Sequence, residues 1–244
     1  MRALTLFQTI LMPKTFNLES GAGAIILDAR KAAFLPDRKA LLVADLHFEK
    51  GSFLRDIGLS PLPAHDTQDT LARLQKLIEV YSPHQVIALG DSFHDTQAGE
   101  RLLDADLQRL NALIKSVDRF VWILGNHDPE IPAHISGQRE DHLMLDNFFL
   151  THHPTDPETV EVNICGHLHP KARVKTRAGS ITKPCFAVSA SRIIMPSFGT
   201  YTGGLRVDDP AIEAVMKGAQ GYYVTHKDRI FPMPLRSVHK KVRG

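Results

Sequence analysis

Apolar residues occur in two kinds of run along the chain. Short unbroken runs at Ala40–Ala44 (ALLVA), Val86–Leu89 (VIAL) and Phe120–Leu124 (FVWIL) predict strands buried on both faces. Phe148–Leu150 and Val160–Cys165 predict a fourth and a fifth. Longer periodic segments separate the first three. Asp66–Tyr81 carries Leu71, Leu74, Leu77, Ile78 and Tyr81 at helical spacing, and Pro83 follows its end. Gly99–Val117 places Leu103, Leu107, Leu110, Ile114 and Val117 on one face and predicts a second helix. Alternating strands and helices predict an α/β fold. The second half changes character. Cys185–Val188 and Arg192–Met195 are short apolar runs parted by Gly, Ser and Pro, which predicts hairpins and a second sheet. Tyr222–Thr225 and Arg229–Pro232 predict a closing hairpin, and the tail Lys240–Arg243 a frayed end. No repeat, low-complexity tract or linker interrupts the chain, so residues 1–244 are expected to form one domain.

Polar motifs recur at one kind of place. Asp45-Leu46-His47 follows the first buried run, and Gly90-Asp91 follows the second. Gly125-Asn126-His127-Asp128, Thr151-His152-His153 and Gly166-His167-Leu168-His169 follow the third, fourth and fifth. Open α/β sheets bind ligands beyond the carboxyl ends of their strands, so five such motifs can converge.

Bulk properties narrow the classes. A length of 244 residues, 43% hydrophobic and 23% charged, is ordinary for a soluble globular protein. A net charge of +2 does not imply nucleic-acid binding, so any basic surface must be local. The two cysteines, Cys165 and Cys185, form no disulfide framework and suit a reducing, cytoplasmic compartment. Leu4–Met12 is apolar and Ala22-Gly23-Ala24 mimics a signal-peptidase site. Gln8, two threonines and Pro13-Lys14 break the run, which argues against secretion. No stretch is long enough to span a membrane. Thirteen histidines are many for this length, and seven of them sit within or beside the motifs above. Metal ligands cluster in this way, whereas surface histidines have no reason to.

Asp45 and His47 are two apart, as are His167 and His169. Extended segments would point each pair into one volume. Asp91 has two oxygens with which to bridge two ions, and Asn126 offers a neutral amide oxygen. Glycines 90, 125 and 166 are expected to let the backbone turn sharply. A donor set of Asp, Asn and His without thiolate suits Mn, Fe or Zn. The ligands are too many for one ion and enough for two. Two divalent ions roughly 3.5–4 Å apart activate water and clamp phosphate oxygens. DxH, GNHD or GHxH alone would be an ordinary loop or turn. Their ordered succession at strand ends is what points to chemistry.

This series, from Asp45 to His169, resembles the calcineurin-like metallophosphoesterase superfamily. The resemblance implies a four-layer sandwich, with two packed mixed β-sheets flanked by helices. It implies that Asp45, His47, Asp91 and His169 hold the first metal and Asp91, Asn126, His152 and His167 the second. Asp91 and an attacking hydroxide would bridge the two ions. His127 would protonate the leaving group and Asp128 would orient His127. Thr151-His152-His153 offers two candidate ligands. The family pattern selects His152, directly after the strand, and leaves His153 to contact phosphate. His94 stands where the family's GDxxD pattern carries Asp, and is expected beside the ligands or the substrate. A narrower resemblance rests on LLVADLHFEKGSFLR (Leu41–Arg55), Gly58, Pro61 or Pro63, and LGDSFHD. It points to the bacterial ligase-associated DNA damage response endonuclease (PdeM-type) group. It implies Mn dependence and a setting among DNA ligase-associated repair proteins.

One feature independently suits a nucleic acid. Lys171, Arg173, Lys175 and Arg177 alternate directly after His169, and on a strand all four would share one face. Lys50 and Arg55, close to DxH, are either phosphate contacts or solvated loop residues. No interleaved aromatic residues suggest base stacking. The expected activity is therefore hydrolysis of a phosphodiester, with DNA as one substrate. A small nucleotide ester, or a non-catalytic scaffold on the same fold, is the alternative.

Overall fold

The computed structural model describes residues 14–59, 65–156, 162–176, 179–218 and 221–233. The first sheet comprises β1 (Thr15–Ser20), β2 (Gly23–Asp28), β3 (Ala32–Leu35), β4 (Ala40–Val43), β5 (Gln85–Leu89), β6 (Arg119–Ile123) and β7 (Gln138–Glu140), adjacent in that order. The first four strands pair antiparallel, and β4 to β7 pair parallel. The second sheet contains β8 (His142–Leu145), β9 (Phe148–Thr151), β10 (Val162–Cys165), β11 (Lys171–Thr176), β12 (Gly179–Val188), β13 (Arg192–Ile194), β14 (Gly221–His226) and β15 (Arg229–Met233). Its order is β15-β14-β12-β13-β10-β9-β8, with β11 paired to the outer half of β12. Only β9, β10 and β13 run parallel. Both sheets are therefore mixed.

Alternation along the strands sorts side chains into layers. Leu41 and Val43 of β4 face one way, packing with Val86, Ala88, Phe120 and Trp122 under the helices. Those helices are α1 (Lys50–Asp56), α2 (Asp66–Tyr81), α3 (Ala98–Arg101) and α4 (Asp104–Lys115). Leu71, Leu74 and Leu77 of α2 and Leu110 and Ile114 of α4 fill that layer. Ala40, Leu42 and Ala44 face the other way, against Ile164, Phe186, Ile193 and Met195 of the second sheet. The outer face of that sheet is covered by α5 (Pro210–Val215), which packs Ile212 on Cys165, Ala187 and Ile194. The order helix–sheet–sheet–helix is the expected four-layer sandwich.

The expected helix over 99–117 is two. Leu102 (ψ 131°) and Leu103 (φ −63°, ψ 143°) are extended, which ends α3 and starts α4 afresh. Leu102 turns into the core while Leu103 is 61% exposed, so Leu103 is not on the apolar face. Asp104 and Asp106 then occupy the first turn of α4, where the helix dipole favours acids. Lys50 and Arg55, expected on a loop, lie on α1. Cys185–Val188 and Arg192–Met195 pair antiparallel as a hairpin (Ala187 opposite Ile194), and β14 and β15 form the closing one. Leu4–Met12, Pro61, Pro63, Arg177 and the Lys240–Arg243 tail lie outside the described residues.

Candidate metal centre

The motif side chains converge where the ends of both sheets meet. Asp45 and His47 follow β4, Asp91 follows β5 and Asn126 follows β6. From the second sheet, His152 follows β9, while His167 and His169 follow β10. Ligand atoms of Asp45, His47 and His169 lie within 4.8 Å of one another, as do those of Asp45, Asp91 and His152. His152, His153 and His167 form a third such group. His152 Nε2 is 3.3 Å from Asp91 Oδ1 and 3.0 Å from Asn126 Oδ1. His167 Nδ1 is 3.2 Å from the same His152 nitrogen, and His169 Nε2 is 3.2 Å from Asp45 Oδ1. Asp45 is fully buried and Asp91 and His152 nearly so, at 2% exposure each.

The local backbone is not extended. Asp45 (φ 53°), His47 (φ 45°), Asp91 (φ 45°), His167 (φ 68°) and His169 (φ 45°) are all left-handed. The paired residues therefore meet through tight turns, not through strand alternation. The motif glycines also act differently from expectation. Of the three, only Gly90 has positive φ (+74°). What all three supply is space. A Cβ on Gly90 would lie 2.3 Å from His152 Nδ1, one on Gly125 2.3 Å from Asp91 Oδ1, and one on Gly166 2.6 Å from Asp45 Oδ2.

Backbone groups aim the carboxylates. The His167 amide donates to both Asp45 oxygens at 3.1 Å, and the His127 amide donates to Asp91 Oδ1 at 2.9 Å. Burial pushes the Asp91 carboxyl up. Its hydrogen bond and charge contact with His152, with the His127 amide and His47, outweigh burial and hold it well below the usual range. His47 is pushed far down, first by burial and then by His169. His167 is pulled down to about 4 by burial, His153 and His152. His47 and His167 are thus held neutral as metal binding requires, whereas at His152 the Asp91 hydrogen bond and the Asp45 and Asp91 charges overcome burial and raise it, so binding a metal there displaces a proton. Both ring nitrogens of His47 are buried without a hydrogen-bond partner among the described residues. Orphaned polar atoms of this kind cost roughly 1–3 kcal/mol each, and coordination would satisfy them. On these grounds the donor set fits divalent metal ions.

His152 is buried among Asp45, Asp91 and Asn126, while His153 is exposed at the rim, its ring centroid 4.1 Å from that of His167. His127 lies at the mouth, Nε2 4.0 Å from Asp91 Oδ2. Its Nδ1 sits 2.9 Å from the His94 carbonyl oxygen, and its ring stacks on His94 at 5.6 Å. Asp128 does not take the expected part of orienting His127, since its carboxylate accepts from the Ser92, Phe93 and Gly125 amides instead. It ties the Gly125–Asp128 loop to the loop after β5, and the His94 carbonyl fixes the imidazole. Arg55 is exposed beside Asp56, and Arg173 and Lys175 are exposed on β11. No described contact brings these three to the cluster. Lys171 does reach it, lining a cavity with His169.

Ser197 and Gly199 also position the site. Ser197 Oγ donates to the Asp45 carbonyl at 2.7 Å, and a Cβ on Gly199 would lie 2.2 Å from the Leu46 carbonyl. Pro-Ser-Phe-Gly after the Arg192–Met195 run is one more polar motif at a strand end, which is the signal that could have found them. Lys31 Nζ reaches the Ser197 carbonyl at 3.0 Å from 166 residues away, and no sequence pattern announces it.

A family model described as calcineurin-like phosphoesterase matches residues 38–176. No curated protein gives a match. Among solved structures, the nuclease MPE of Pseudomonas putida superposes with a TM-score of 0.72 at 30% identity, covering 90% of this chain and 100% of that one. Yfce, a phosphoesterase from E. coli, shares 16% identity over 80% of this chain and 97% of its own, with a TM-score of 0.40. The matched segment runs through every motif from Asp45 to His169, so the chain belongs to the calcineurin-like phosphoesterase family and is a metal-dependent phosphoesterase.

Proposed function

We propose that the chain, acting as one catalytic domain, is a dinuclear phosphodiesterase that cleaves DNA. The observation that carries this is the overlap of two ligand groups, Asp45–His47–His169 and Asp45–Asp91–His152, extended by Asn126 and His167 around His152. Asp45 is common to both groups, and Asp91 turns one oxygen toward His152 and the other toward His127. Two divalent ions, Mn before Fe or Zn, would supply charge neutralisation and an activated water. The remaining work falls to the chain's own residues. His127 carries a proton on Nδ1 for the His94 carbonyl, which only accepts, and so presents Nε2 to the substrate. As imidazolium it hands the Nε2 proton to the departing oxygen as the P–O bond breaks. The nuclease relative supports a nucleic acid as substrate, and DNA is the choice the LLVADLHFEKGSFLR resemblance favours. The ligase-associated repair setting rests on the LLVADLHFEKGSFLR resemblance. A cytoplasmic location is supported by the free, buried Cys165 and Cys185. Among the described residues no helix is long and apolar enough to cross a membrane.

The test is a side-by-side assay of an aryl phosphodiester and an aryl phosphomonoester, with metal-free protein resupplied with Mn. Diester hydrolysis is expected to depend on Mn and to fall ~10²-fold in His127→Ala, with metal content unchanged. Turnover of neither ester with Mn, Fe or Zn would overturn the hydrolase mechanism.

A further inference from the structure

The metal cluster opens at His169 into a cavity of about 240 Å³. Its walls include Lys31, Lys171, Thr182, Thr200 and Thr202, and among the described residues no carboxylate lines it. Lys31 is anchored, its ammonium shared by the carbonyls of Ser197, Phe198 and Gly199 at 3.0, 3.4 and 3.3 Å. Lys171 is not. Among the described residues its ammonium reaches a single carbonyl, that of Thr202, at 3.3 Å, which leaves donor protons unspent. It follows His169 by two residues at the start of β11, and the backbone beside it is tight. A Cβ on Gly204 would lie 2.1 Å from the His169 carbonyl and 3.1 Å from Lys171 Cε. The lysine stem is thereby held along the wall. Burial lowers Lys31 to about 8, with Arg73 and Lys171 repelling it and Asp69 attracting it. Lys50, on the cluster side, is lowered by burial, against the attraction of Asp66 and Asp91, with Lys171 repelling it. Lys31 and Lys171 thus face one cavity without a carboxylate in its described lining, an arrangement that suits an anion. The opposite flank differs. A groove of about 820 Å³ lined by Gln97, Pro129 and Pro132 carries Glu100 and Glu130.

We propose that the Lys31–Lys171 cavity binds the phosphate next to the scissile one. This rests on the phosphodiesterase reading and sharpens it. The substrate is a strand with at least two consecutive phosphates, an oligonucleotide that leaves the metal cluster past His169, and not a lone small diester. Lys171 is the positioning cation, and the rest of the alternating stripe on β11 only extends the path.

The test is equilibrium binding of a labelled phosphorothioate oligodeoxynucleotide, in Mn and across a NaCl titration, set against a mononucleotide. Lys171→Gln should raise Kd for the oligonucleotide ~10-fold and reduce the salt slope by about one, while Lys171→Arg restores both. The mononucleotide, with one phosphate, should lose less than ~2-fold on the same scale. Lys76→Gln, on exposed α2 beside Glu79, is the control for nonspecific charge loss. Equal loss for both ligands would make Lys171 part of the general metal-site field and overturn the subsite. Wild-type oligonucleotide binding in Lys171→Gln would do the same, while aryl diester turnover by the wild type would leave the hydrolase reading standing. Absence of any ester turnover by the wild type would overturn that reading and the subsite with it.

Discussion

Strain at the candidate centre is concentrated in single residues. Five of the twelve non-glycine residues with positive φ among the described residues are the candidate ligands Asp45, His47, Asp91, His167 and His169. Left-handed geometry costs about 1–3 kcal/mol per residue and persists only where surrounding contacts over-determine it. Here those contacts are amide hydrogen bonds to Asp45 and Asp91 and close approaches over glycine. At Gly166 a methyl group would meet Asp45 Oδ2 at 2.6 Å and Ala44 Cβ at 3.1 Å. Gly166→Ala is therefore expected to weaken metal binding ~10–100-fold, the usual range for misplacing a ligand's support. Metal content after dialysis measures this, and wild-type content would refute the steric role. The donor residues were legible because Asp, Asn and His recur in short motifs, each directly after an apolar run. Their turn geometry was not, since residue spacing does not distinguish a left-handed turn from an extended pair.

At the scale of elements, β7 shows how an inconspicuous strand serves the site. It extends the parallel array beside β6, and its Glu140 carbonyl accepts from the Leu124 amide at the entrance to the Gly125–Asp128 loop. The chain enters β7 through Gly137 (φ +105°), packed so closely on Trp122 that a Cβ would lie 2.6 Å from Nε1. That indole donates to the Ser136 carbonyl at 2.8 Å, so the turn has no slack. Gly137→Ala should cost ~2 kcal/mol or more, from dihedral strain plus overpacking. The urea midpoint reads this directly, and a shift worth under ~0.5 kcal/mol would mean the turn relaxes freely. The strands β4, β5 and β6 and the helix α2 were legible because both faces of each strand, and one whole face of the helix, are apolar. The strands β1 and β8 were not, since their half-buried patterns mix polar and apolar positions. The break between α3 and α4 was not legible either, because leucines continue through it and no Pro or Gly marks it.

Across the whole molecule, the candidate ligands divide between the sheets. Asp45, His47, Asp91 and Asn126 leave the first sheet, while His152, His167 and His169 leave the second. The sheets otherwise meet through an apolar layer, with Leu42, Ile87 and Val121 on one side and Ile164, Phe186 and Ile193 on the other. That layer is non-directional, whereas coordination would fix the two strand-end rims against each other at one point. Metal binding and global stability are then linked, because the ligand set exists only when both sheets are folded and docked. Mn at about 100 times its Kd should add ~2.7 kcal/mol, which for a chain of this size raises Tm by roughly 5–10 °C. Asp91→Ala, which removes a carboxylate from the Asp45–Asp91–His152 group, should abolish most of that rise. Its buried neighbour His152 keeps its place through the Leu89 carbonyl, 3.1 Å from Nδ1. A thermal melt of each protein with and without Mn separates the cases. An equal rise in both would mean that Mn binds elsewhere, and no rise in the wild type with Mn, Fe or Zn would mean that the two rims are not joined by metal.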